Sequence, residues 1–138
     1  MNYTDGFRAG RCLLPVIVYA EGREETGICL SALVDTGAMH SAIFVGIAEM
    51  LGLPRGNLNR IVSTPHGFQN AGSYEAVLDV PMLTAGGYVS RKFATLQSML
   101  KMDSPTGHAP LIIGMDLISQ SARFELQNGN WTLEFPNP

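Results

Sequence analysis

Much of what would place this chain in an easily recognised functional class is missing from it. It has only two cysteines, Cys12 and Cys29. They are possible neighbours across a hairpin, but with no signal segment ahead of them, buried free thiols are the expectation. No basic segment followed by an apolar one opens the chain, and no apolar run approaches the roughly 20 residues that span a bilayer. A cytoplasmic location without membrane contact is therefore expected. Nine Lys and Arg against twelve Asp and Glu give a net charge of -3, and no basic stripe is present for phosphate contacts, so nucleic acid is not an expected partner. His40, His66 and His108 match no metal-ligand spacing and have no Cys or acidic cluster beside them, which argues against a metal. Internal repeats, low-complexity tracts and dividing linkers are also lacking. At 138 residues the chain reads as one domain, residues 1–138, with a single core.

What is present is a succession of short apolar and β-branched segments punctuated by turn residues. Residues 12–20 read as a strand in which Pro15 implies an edge position or a bulge. A polar turn at 21–25 follows, and 26–34 return as a second strand. Ile43, Ile47, Met50 and Leu51 have helical spacing, so 42–51 read as a helix that Gly52 and Pro54 end. Residues 61–81 read as a hairpin, with 65–72 as its glycine-bearing tip and 74–80 as its alternating second strand. Another strand is expected over 88–97, and 99–110, with Asp103, Ser104, Pro105, Gly107 and Pro110, reads as an exposed loop. Finally, 123–127 and 130–135 flank Asn128-Gly129, the strongest short hairpin signal. The fold class expected is all-β with barrel-like closure and one or two short helices.

Two segments carry chemistry. The first is Asp35-Thr36-Gly37, inside the run Leu33-Val34-Asp35-Thr36-Gly37-Ala38-Met39-His40-Ser41-Ala42-Ile43. An apolar strand there stops at a carboxylate, and Thr-Gly directly after it forces a tight turn, so the carboxylate is held at a strand end. The second is Leu111-Ile112-Ile113-Gly114-Met115-Asp116, an apolar strand ending in glycine, followed by a short helix for which Asp116 reads as the cap. Together, in this order, the two segments resemble those of the retropepsin-like aspartic proteases, above all the single-domain protease domains of retroelements and their bacterial or phage relatives.

The resemblance implies a closed β-barrel with one lobe per chain. Only one Asp-Thr-Gly is present, and Asp103-Ser104-Pro105 lacks the glycine, so a second catalytic aspartate must come from a second copy. In a homodimer of this kind Asp35 of each subunit would share one proton across about 3 Å and activate a water against a peptide bond, with no cofactor. Thr36 would tie the two loops together, and Gly37 would let its amide approach the carboxylate. Ala38 supplies no hydroxyl donor, which implies activity reaching weakly acidic or near-neutral pH. Thr64, Pro65, His66, Gly67 and Phe68 fall in the flap over an extended peptide or polyprotein substrate, with Gly67 and Gly72 allowing movement. Ile112, Ile113, Gly114 and Asp116 would support the site from beneath. The terminal segment 130–135 corresponds to a dimer-sheet ribbon, with Trp131 either an interface anchor or a core residue. The alternative is a catalytically silent binding or assembly module of the same fold. Met1 favours an independent gene product over a domain cut from a polyprotein.

Overall fold

The computed structural model describes residues 2–7, 10–64, 67–103 and 109–135. In chain order the strands are β1 Asn2–Gly6, β2 Leu13–Tyr19, β3 Ile28–Val34, β4 Ala42–Phe44, β5 Arg60–Thr64, β6 Gly67–Ala71, β7 Ser73–Thr84, β8 Gly87–Met102, β9 Leu111–Ile113, β10 Arg123–Gln127 and β11 Asn130–Glu134. The α-helices are α1 Val45–Met50 and α2 Met115–Ile118.

Alternation decides where the core lies, because successive strand side chains point to opposite faces. In β2, Leu14, Val16 and Val18 are fully buried while their neighbours Leu13, Pro15 and Ile17 are only half-buried. The same inward set continues with Ala32 and Val34 of β3 and Ala76, Leu78 and Val80 of β7. Six strands in the order β2-β3-β9-β4-β8-β7 close into a barrel around these residues. Most of its seams are antiparallel, but β3 pairs parallel with β9 and β4 parallel with β8. The all-β, barrel-closed class with two short helices is therefore observed.

A three-stranded sheet, β1-β11-β10, lies outside the barrel strands. Its tight turn has Asn128 and Gly129 at φ of 53° and 77°, the left-handed pair that a two-residue hairpin needs. One face carries Trp131 and Leu133, fully buried, with Tyr3 and Phe124 packed against them. Trp131 is thus a core residue. β11 is flanked on both sides by strands of its own chain, so its two edges are already used.

Several expectations are corrected. Residues 42–44 are strand rather than the first turn of a helix: Ala42 pairs with Leu100 on one side and Ile112 on the other, and these two ladders override helical spacing. Met50, taken as part of the helix's apolar stripe, is exposed. The hairpin is β5 with β6, so 67–71 form its second strand rather than its tip, while β7 pairs with β8 and β2. β8 continues through Met102, with Met99 and Leu100 buried, where an exposed loop was expected. Both cysteines are free, but only Cys12 is buried, which pushes its thiol up from the ordinary value, and Cys29 is exposed. Pro15 lies where β2 pairs with β3 alone, since β7 meets only residues 17–19, as a residue without an amide proton requires.

Candidate active site

β3 delivers Asp35 to the barrel end, and the parallel seam with β9 holds it there. The Asp35 amide donates to the Ile113 carbonyl at 2.9 Å, one step beyond the last paired residues of the two strands. The chain then reverses: Ala38 N donates back to the Asp35 carbonyl at 3.2 Å, and Gly37 N donates to the Asp35 carboxylate at 2.9 Å. A β-carbon on Gly37 would lie 3.2 Å from that same oxygen, so glycine serves close approach here. Asp35 is half-buried, Thr36 and Gly37 are exposed, and the Thr36 hydroxyl makes no hydrogen bond among the described residues.

Beneath this turn passes the second segment. Met115 N donates to the Ala38 carbonyl at 2.7 Å and Asp116 N to the Met39 carbonyl at 3.1 Å. Gly114 is there because nothing larger fits: a β-carbon would stand 2.8 Å from the Ala38 oxygen and from the His40 carbonyl carbon. Gly114, not Asp116, is the residue that precedes α2, and it has no side chain with which to cap that helix. The Asp116 carboxylate instead reaches back to the loop, accepting the Ser41 amide at 3.0 Å on both oxygens and the Ser41 hydroxyl at 2.6 Å. Asp116 thus lies inside α2 rather than before it, and its carboxylate both accepts the first-turn Leu117 amide at 2.9 Å and reaches the loop. Ser41 lies in the loop that carries the resemblance but was given no supporting role there, and Gln97, which also donates to Asp116 at 3.1 Å, was not singled out from sequence. A serine inside the apolar run Ala38 to Ile43 was the available signal for the first; Gln97 carries none.

The structure thus brings Asp35, Thr36, Gly37 and Ala38 together with Ile112, Ile113, Gly114 and Asp116. The β5–β6 hairpin connects to them through a small apolar cluster, in which Val62 and Ala71 meet Ala42, Leu100 and Ile112, with Ala38 packed against it. Thr64 ends β5 opposite Gly67, whose φ of 97° is a left-handed value suited to glycine. Phe68 is 81% exposed and by alternation shares its face with Ile61, away from Val62 and Ala71. Pro65 and His66 lie outside the described residues, as does His108. Among the described residues no group of three His, Cys, Asp or Glu is placed to hold a metal ion, and no helix is long and apolar enough to cross a membrane.

No protein-family model and no curated protein matches the sequence. The solved structure of a retropepsin-like aspartic protease from Rickettsia conorii matches this one with a TM-score of 0.62 at 14% identity, over 98% of this chain and 91% of that one. The fold is retropepsin-like. The proteases of simian foamy virus (TM-score 0.47, 16% identity, 78% of this chain and 92% of that one) and of EIAV (0.44, 20%, 79% and 86%) are similar at lower scores and add no weight. Within the retropepsin-like fold, the barrel end that presents Asp35 is built from the parallel seam of β3 and β9 and the loop that packs on Gly114, the two segments that carried the sequence resemblance.

Proposed function

We propose that this chain is a member of the retropepsin-like aspartic protease family, one domain per chain, and that two copies form an aspartic endopeptidase with one Asp35 from each. The observation that carries the proposal is the Asp35 turn: a half-buried carboxylate at a strand end, touched by the Gly37 amide and seated on Gly114. Two such carboxylates brought within hydrogen-bond distance hold one proton between them, because like charges that close do not both ionise. The ionised one takes a proton from water as the water attacks the peptide carbonyl. The protonated one stabilises the oxyanion and then assists departure of the amine. The free Thr36 hydroxyl is available to bond the second copy's loop. An extended peptide would lie between the Asp35 turns and the β5–β6 hairpins, held by backbone hydrogen bonds as an added strand.

A second reading, a folded binding or assembly module without catalysis, has one observation in its favour: β11 is paired on both edges within a single chain, so the terminal sheet does not need a partner to be complete. The two readings separate by experiment. Cleavage of a mixed peptide library is measured for wild type and Asp35→Asn across protein concentration and pH, with sedimentation reporting the oligomer. The expected result is specific activity that rises as dimer forms and disappears in the variant. Wild type that is demonstrably dimeric and cleaves nothing would leave the module reading. Ala38 adds a condition: a pH-rate profile confined below about pH 4 would contradict the pair expected without a hydroxyl donor.

A further inference from the structure

The exposed Asp35 turn stands on a buried polar layer, and Ser41 is its centre. Ser41 has no accessible surface, yet every polar group it has is used. Its amide and hydroxyl donate to Asp116, its hydroxyl oxygen accepts the Gly114 amide at 2.9 Å, and its carbonyl accepts the Leu100 amide at 2.9 Å. Asp116 gathers donors from three directions: Ser41 from the loop, Gln97 Nε2 from β8 and the Leu117 amide, at 2.9 Å, from α2. Thr36, Gly37 and Met39, by contrast, are exposed, so the register of the loop is set at its buried end.

We propose that Ser41 and Gln97 are positioning residues for Asp35, holding the loop that carries it through the carboxylate of Asp116. The inference rests on the reading of Asp35 as catalytic, and it adds which residues fix that carboxylate's place. A proton shared between two carboxylates demands placement to a fraction of an ångström, which an exposed turn with one side-chain hydrogen bond does not supply by itself. All the donors to Asp116 are neutral. The titratable groups on the elements around it include Asp35 and His40 on the loop, Lys92 and Lys101 on β8, the first 3.7 Å from Asp79 and the second 3.6 Å from Asp103, and Glu75 and Asp79 on β7. None of these is hydrogen-bonded to or ion-paired with Asp116 among the described residues.

Gln97 is the residue to test, because it lies outside the loop and its amide, which also donates to the Ser98 carbonyl at 3.1 Å, reaches the loop only through Asp116. In Gln97→Glu a protonated carboxyl donates to Asp116 much as the amide does, whereas two anions there repel. Relative to wild type, kcat of Gln97→Glu is expected to be nearly unchanged at about pH 5 and to fall about tenfold or more by about pH 7.5, with KM within roughly twofold. Gln97→Met should lower kcat several-fold with no new pH dependence. Amide hydrogen exchange at Ser41 and Gly114 should quicken in Gln97→Met, and in Gln97→Glu at the higher pH, while that of Val16 and Val18 in β2 stays unchanged. Exchange that is unaltered at Ser41 and Gly114, or a Gln97→Glu profile parallel to wild type, overturns the inference. Persistence of cleavage in Asp35→Asn overturns the catalytic reading instead, and the brace is then judged by the exchange data alone.

Discussion

Strand β8 offers a side-chain nitrogen to two different carboxylates, and the two arrangements are built on the same plan. At one, Asp79 accepts the Tyr19 hydroxyl at 2.8 Å, with Lys92 Nζ 3.2 Å from the Tyr19 oxygen and 3.7 Å from Asp79. At the other, Asp116 accepts the Ser41 hydroxyl at 2.6 Å, with Gln97 Nε2 at 3.1 Å. Each pairs a hydroxyl with a nitrogen from β8. The difference is charge and completeness: Lys92 is cationic and half-exposed, and one oxygen of buried Asp79 has no hydrogen bond, whereas Asp116 also takes two backbone amides. The first arrangement seals the seam of β2, β7 and β8. The second holds the Asp35 loop in place through uncharged donors alone, so its hold does not depend on a surface cation.

The comparison breaks most visibly if either carboxylate is removed. Asp116→Ala strands the Ser41 amide and hydroxyl in the interior and should cost about 3 kcal/mol, read from urea unfolding. Asp79→Ala strands only the Tyr19 hydroxyl, since Lys92 can turn to water, and should cost about 2 kcal/mol with catalysis unaffected. Equal costs with equal loss of activity would erase the distinction.

Alkaline pH sharpens it next. Burial raises the Tyr19 phenol above its ordinary value, and the hydrogen bond to Tyr19 is the main cause that raises Lys92. Groups raised in the folded state contribute stability that is complete below their unfolded values, about 10 for both, and lost as pH climbs through the folded values. Tm should therefore drop as pH rises above about 10, and the double variant Tyr19→Phe, Lys92→Met should flatten that drop. The smallest effect expected is that of Lys92→Met alone at neutral pH, below about 1 kcal/mol because the ammonium is half-solvated. A loss well above that would show that the surface pair matters more than its exposure implies.

The parts of the fold that were legible in sequence are those decided locally. The Asp-Thr-Gly turn after an apolar strand, the Gly114 segment and the Asn128-Gly129 hairpin each depend on residues a few positions apart. What escaped was decided at a distance. Ala42–Phe44 became a strand because of partners at Leu100 and Ile112. Ser41 meets Asp116 across 75 positions, and Tyr19 meets Asp79 across 60. Gln97 looked like any polar strand residue because its partner lies on another element. The hairpin was anticipated in place but not in pairing, since glycines at 67 and 72 mark flexibility without saying which strand returns beside β5.

The pairing of β1 with β11 has a consequence in time. Asn2 lies opposite Glu134 and Gly6 opposite Asn130, so β1 waits for the much later β11 before its ladder can form. At elongation rates of about 5–20 residues per second, the early strand stays unpaired for on the order of ten seconds. Trp131 is buried with the same sheet, so this hydrophobic closure comes only after every barrel strand has been made.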